Sequence, residues 1–134
     1  MSTITVRQAV LTDLEALVPL FDGYRQFYGR ASDPDAARKF LMARFNHHES
    51  VLFIAHDGDT PVGFTQLYPS FSSVSLARVF ILNDLYVHEH ARRKGVASKL
   101  MGEPEQIYGV NIGSNYQSQG LKLSKQFKPL AMSV

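Results

Sequence analysis

Residues 91–100 read ARRKGVASKL, placing Arg92, Arg93 and Lys94 in a row ahead of Gly95 and the start of a helical segment. A helix start exposes unpaired N–H groups and the positive end of the macrodipole, which repels cations unless an anion sits among them. The spacing therefore predicts an anion site, and phosphate is the ligand such donors suit best. Two further clusters carry side chains able to bind metal, His47 with His48, and His88, Glu89 and His90. Neither has the His-Glu-x-x-His spacing that aligns two imidazoles on one helix face, and both fall in predicted loops, so no metal is expected. The chain has no cysteine, which excludes disulfides, thiolate metal sites and cysteine nucleophiles.

The elements that must position these residues follow from pattern. A length of 134 residues fits a single domain, expected over residues 1–134. Hydrophobic residues make up 45% and charged residues 19% of the chain, the balance of a folded globular protein. A formal charge of +2 spreads the cations too thinly to favour nucleic acid, and no nucleic-acid partner is expected. No apolar run is long enough to span a membrane, and MSTITVRQAV lacks the basic-then-apolar order of an export signal, so the expectation is a cytoplasmic protein without a membrane partner.

Residues 3–9 alternate as a half-exposed strand does, and Thr12 to Glu15, TDLE, has the spacing of a capping box that would open a first helix. Leu14, Leu17, Val18, Phe21 and Tyr24 or Arg25 place its apolar stripe on one face until Gly29. Asp33 and Pro34 supply an N-cap and a first-turn proline for a second helix with Ala37, Phe40, Leu41 and Phe45 buried. Residues 51–56 and 62–68 flank the turn-forming DGDTP and predict an antiparallel hairpin, followed by a serine-rich loop or strand edge, PSFSSVS. Residues 76–87, LARVFILNDLYV, are apolar on both faces, as in a central strand covered by helices. A helix follows Gly95 for barely two turns, through Glu103, before Pro104 interrupts it.

The segment NDLYVHEHARRKGVASKLM resembles the signature of the GCN5-related N-acetyltransferases, whose pyrophosphate loop reads Gln/Arg-x-x-Gly-x-Gly/Ala between the fourth strand and third helix. Arg92, Gly95 and Ala97 fill its specified positions. ITVRQAVLTDLEALVPLF resembles the first strand and helix of that family and VGFTQLY its third strand, so the likeness covers roughly the first hundred residues. The fold implied is α+β: a mostly antiparallel sheet flanked by helices in the order β-α-α-β-β-β-α, ending in a shortened C-terminal region. The cofactor implied is acetyl-CoA. Backbone N–H groups of Arg93, Lys94, Gly95, Val96, Ala97 and Ser98 would hold its pyrophosphate, with Gly95 letting the backbone approach closely, while the side chains of Arg92, Arg93 and Lys94 would add attraction, at least one of them reaching the 3′-phosphate. Leu85, Tyr86 and Val87 would offer their backbone to the pantetheine arm as if to another strand, with Leu85 and Val87 on one face and Asp84 and Tyr86 on the other unless a bulge intervenes.

The activity implied is transfer of acetyl to a primary amine, on a small molecule or a protein lysine or N-terminus. Such an amine, with a pKa of about 10, is mostly charged at neutral pH and must lose a proton to attack. Asp84 stands where some family members carry an acidic base, and Asn83 where a relay water would be oriented; Asp84 equally suits ordering of the strand edge or binding of a cationic substrate. NYQSQGL resembles the stretch bearing the family's general acid, which places Tyr116 in that role. GYRQFYGR, following the first helix, and PSFSSVS lie where the family builds its acceptor pocket, so Tyr24, Arg25, Phe27 and Tyr28 are the substrate-binding candidates, Phe27 and Tyr28 equally suiting a core cap. Too few residues separate Ala97 from Tyr116 for the family's full third helix, fifth strand and fourth helix. QIYGVNI is the candidate fifth strand, and LKLSKQFKPLAMSV a poor final one. Two functions follow: a complete N-acetyltransferase, or an acyl-CoA-binding module without turnover. A homodimer joined through C-terminal strands is the assembly implied.

Overall fold

The computed structural model describes residues 3–74 and 76–108. Its elements run β1 (Ile4–Gln8), α1 (Leu14–Phe27), α2 (Pro34–His47), β2 (Val51–Asp57), β3 (Thr60–Ser72), β4 (Ala77–Val87) and α3 (Val96–Tyr108), with short 3-10 turns at Leu11–Asp13 and Glu89–Ala91. This is the expected order, and the four strands form one antiparallel sheet in sequence order. The two faces of that sheet carry separate cores. One joins Leu52, Ile54 and Phe64 to Leu17, Val18 and Phe21 of α1 and Leu41 of α2. The other joins Phe53, Leu82, Leu85 and Val87 to Val96 and Leu100 of α3. Leu100 is wholly buried, and each such aliphatic side chain contributes about 2 kcal/mol.

Several local expectations shift. The helix cap is not built on Thr12: the Asp13 carboxylate reaches back to accept from the Val10 N–H at 2.8 Å, while Arg7 grips both of its oxygens. That grip outweighs partial burial and holds the Asp13 carboxyl below its ordinary range. Asp33 does cap α2, accepting from Ala36 N–H at 3.1 Å ahead of Pro34. On α2, Ala37 and Leu41 are buried, but Phe40 stays 38% exposed because it stacks on Phe21 at the rim, and Phe45 is half-buried. PSFSSVS is mostly strand: β3 continues to Ser72 and pairs with β4 down to Ala77, leaving only a short turn. Pro104 does not stop α3, which continues to Tyr108. The proline removes one backbone bond to Leu100, but its ring is itself buried while Leu100 is held in the core. Residues 106–108 of the candidate fifth strand are therefore helical, and the rest of it lies outside the described residues, as do Tyr116 and the segment LKLSKQFKPLAMSV on which the homodimer expectation falls.

β4 is buried on both faces as expected, yet among the described strands it is an edge rather than a centre. That position gives it its use.

Candidate active site

The outer edge of β4 is defined by pairing. His88 N–H donates to Val62 O at 2.7 Å, so Gly63 and Val87 form a non-hydrogen-bonded pair. The backbone N–H and C=O of Val87, and by alternation those of Leu85, therefore point away from β3 toward the outer edge. Close approach is the mark of such a pair. A Cβ on Gly63 would lie 2.7 Å from the Tyr86 carbonyl, so only glycine lets β3 come near enough.

This edge leads into the cationic loop. Arg93 and Gly95 both take positive φ, 69° and 79°, turning the chain sharply before α3. For arginine this is a strained conformation, of the kind that persists where surrounding structure and function hold it. Gly95 takes the left-handed backbone that favours glycine, and a Cβ there would meet no protein atom within 4 Å, so the turn itself calls for glycine. The first α3 amides, Val96, Ala97 and Ser98, precede the first intrahelical bond, Lys99 N–H to Gly95 O at 3.3 Å. With Val87, Ala91, Arg92 and Arg93 they line a cavity of about 190 Å³.

The three cations divide. Lys94 pairs with Asp57 of the β2–β3 hairpin at 3.3 Å. Arg92 folds back so that Nε donates to Val87 O at 2.9 Å, and its guanidinium lies over the rings of Phe27 and Tyr86. Arg93 makes no ion pair with any described residue and is exposed beside the helix start. All three cations are exposed to solvent, but two of them also brace the loop, Arg92 through the Val87 carbonyl and Lys94 through Asp57.

On the opposite face of β4 lies Asp84, 6% exposed. A bulge makes this possible: Gln66 opposes Asp84 and Leu67 opposes Leu82, leaving Asn83 as the extra residue. Leu85 and Val87 consequently face α3 while Asp84 and Tyr86 face α1, as the sequence reading placed them. Asp84 Oδ1 accepts from Tyr24 Oη at 2.8 Å and Asn83 Nδ2 at 2.9 Å, and Oδ2 accepts from Gln66 Nε2 at 3.0 Å. Gln66 Oε1 in turn accepts from Ser50 Oγ at 2.7 Å, and Thr65 Oγ1 donates to the Asp84 carbonyl at 2.7 Å. Burial, and the nearby Asp84 charge, push the Tyr28 and Tyr68 hydroxyls above the ordinary phenol range, so both stay neutral around the carboxylate.

The four substrate-binding candidates separate in the same way. Tyr24 bonds Asp84, and Tyr28 packs edge-on against Tyr24 with ring centroids 5.1 Å apart. Phe27, 61% exposed, lines a second cavity of about 700 Å³ with Leu20, Gly23, Tyr86, His88 and Arg92. Arg25 belongs to neither place; its charge acts on Asp22. All but Tyr28, the C-terminal cap, sit within the last turns of α1 and not in a loop after it, because the helix holds through Phe27 before Gly29 turns the chain. The histidines have local backbone roles: His48 is the left-handed cap of α2, and His88 Nδ1 accepts from His90 N–H. Sequence reasoning missed Gln66, Thr65 and Ser50. The available signal was two polar residues inside VGFTQLY, where a strand buried on both faces should carry none without partners.

Residues 15–108 match the model of the "Acetyltransferase (GNAT) family". The chain is 49% identical over 108 residues to "Uncharacterized N-acetyltransferase YhfO" of Bacillus subtilis, covering 81% of this chain and 72% of that one. It is 32% identical to a "Probable acetyltransferase" of Haemophilus influenzae, with 91% and 92% of the two chains covered. Among solved structures it resembles "a probable acetyltransferase" at a TM-score of 0.75 and 42% identity, over 87% of this chain and 89% of the other. With the motif, the strand order and these relatives in agreement, the chain belongs to the GNAT family of acetyl-CoA-dependent N-acetyltransferases.

Proposed function

We propose that the chain transfers acetyl from acetyl-CoA to a primary amine of a small molecule or of a protein lysine or N-terminus. The observation that carries this reading is the continuity of the outward edge at Leu85 and Val87 with the first amides of α3, and the buried Asp84 on the other face of the same strand. The residues present suit the cofactor. The outward amide donors and acceptors of Leu85 and Val87 match the amides of a pantetheine arm, while those of Tyr86 pair with β3, and the Val96, Ala97 and Ser98 N–H groups with Arg93 match a pyrophosphate.

Bound acetyl-CoA supplies a thioester carbon, to which the amine nitrogen bonds as the carbon–sulfur bond breaks. Asp84 takes the proton of the incoming ammonium, directly or through a water oriented by Asn83. Tyr24 Oη holds the carboxylate in place, and the rings of Tyr24, Tyr28 and Tyr68 surround that acidic centre. Tyr116, on the strength of the family resemblance, returns a proton to the sulfur. Arg92 yields Val87 O to the arm when its guanidinium shifts on the rings of Phe27 and Tyr86.

Two measurements test this. Calorimetric titration with acetyl-CoA is expected to show binding weakened about tenfold in Arg93→Ala, the loss of one charge-assisted phosphate contact. Mass spectrometry of a panel of polyamines, amino acids and basic peptides is expected to reveal an acetylated product. A folded chain that binds no acetyl-CoA overturns the reading; binding without product from any acceptor leaves the acyl-CoA-binding module instead.

A further inference from the structure

We infer that Gln66 is a positioning residue for acetyl transfer: held by Ser50, its side-chain amide fixes the orientation of the Asp84 carboxylate. The inference rests on the reading of Asp84 as the proton acceptor.

Gln66 is wholly buried in the middle of β3, between Thr65 and Leu67. Burying an amide costs several kcal/mol by transfer to an apolar medium unless its hydrogen bonds are made, and an apolar side chain of similar volume would stabilise the strand at least as well. Core stability is therefore a poor reason for a glutamine here. Its two bonds explain it. Ser50 Oγ donates to Oε1 and Nε2 donates to Asp84 Oδ2, a directed chain from hydroxyl to amide to carboxylate. The flipped amide would set Oε1 against a carboxylate oxygen, so chemistry fixes the orientation. Tyr24 and Asn83 both bond Oδ1. A carboxylate held on one oxygen can rotate about its Cβ–Cγ bond; Gln66, on the other oxygen and from another strand, prevents that rotation.

The register makes the contact specific. Gln66 faces Asp84 at the bulge, where the extra residue in β4 re-aims the side chain, so clamp and bulge act at one point. Among the described residues, the titratable and charged groups around Asp84 include Tyr24 and Tyr28 from α1, Tyr68 from β3, and Arg44 and Glu49 beyond Tyr68.

The test is Gln66→Leu in the full chain, assayed across pH with acetyl-CoA and whichever of spermidine, L-lysine or a lysine-containing peptide is turned over fastest. Carbon-13 NMR of aspartate carboxyls, with Asp84 assigned by its loss in Asp84→Asn, reports the carboxylate without any acceptor. The expected result is kcat lowered about tenfold or more by misorientation, acetyl-CoA KM within about twofold, and the Asp84 resonance titrating at higher pH for want of a donor. Ser50→Ala, at a half-buried position outside the core, serves where Gln66→Leu fails to fold; kcat is expected to fall about threefold with the same direction of carboxyl shift. Wild-type kcat with an unmoved Asp84 resonance in the folded variants overturns the inference, as does a fall in kcat matched by lost acetyl-CoA affinity. Wild-type kcat in Asp84→Asn would instead sink the base reading, while the NMR shift still reports whether Gln66 holds the carboxylate.

Discussion

Two buried carboxylates, Asp22 in α1 and Asp84 in β4, are exposed by 5% and 6%, and each accepts at least three hydrogen bonds, but from different kinds of donor. Asp22 accepts from Gln26, from Ser32 and from the Asp33 N–H, all within eleven residues and one of them backbone. Burial pushes its carboxyl up, but these donors and the charge of Arg25 outweigh burial and hold it below its ordinary range. Asp84 accepts from side chains of α1, β3 and β4, up to 60 residues away. A carboxylate tied locally and to backbone staples a corner between two helices. One gathered by side chains from three elements suits the proton-accepting role proposed for Asp84.

The sharpest way to break this contrast is Asp84→Asn. Acetyl transfer is expected to fall about 100-fold or more, the range for loss of a general base, while calorimetry shows acetyl-CoA affinity within about twofold. An active Asp84→Asn enzyme would make the two carboxylates equivalent.

Next in size is Asp22→Asn, which should lower stability by about 2 kcal/mol in neutral urea titrations and leave kcat per folded molecule unchanged. Its pH dependence carries a sign. With its folded pKa depressed, Asp22 contributes stability that is complete above the ordinary carboxylate value of 3.8 and is lost as pH falls through the lower folded value. The gap between wild type and Asp22→Asn should therefore narrow as pH drops below about 4. A gap constant down to pH 2 would mean the carboxylate is not what holds the corner.

The smallest effects come from removing one donor at each centre. Ser32→Ala is expected to cost about 1 kcal/mol of stability without changing turnover, and Asn83→Ala to slow turnover about threefold with little change in melting temperature. An exchange of these outcomes would reverse the assignment of the two centres.

What was legible in the sequence follows the same division. The loop at residues 92–98 could be read because its glycine, cations and helix start are contiguous, and α2 because Asp33 and Pro34 are adjacent. The Asp84 centre was legible only as Asp84 and its neighbour Asn83 on a strand, with no sign that Tyr24 would bond it. Its partners Tyr24 and Gln66 lie 60 and 18 positions away and meet it only through packing and a bulge that no local pattern announces. Pro104 misled for a related reason: a local rule ends the helix there, and burial of its ring against the core carries it on. The division of labour among Arg92, Arg93 and Lys94 was equally invisible, since it depends on Asp57 and on the Val87 carbonyl being within reach.

The bond from Arg92 to Val87 also bears on how the edge of β4 meets an extended segment. Among the described strands β4 is an edge, and an outward row of strand carbonyls and amides invites such pairing. By covering the last carbonyl of the row with a side chain stacked on two rings, the protein blunts this edge with a bond worth about 1 kcal/mol. Such a guard is strong enough to discourage a stray strand and weak enough to be exchanged for a ligand whose other contacts are already in place. Affinity at this edge is then a difference between two bonds, and counting the contacts of the bound state alone would overstate it.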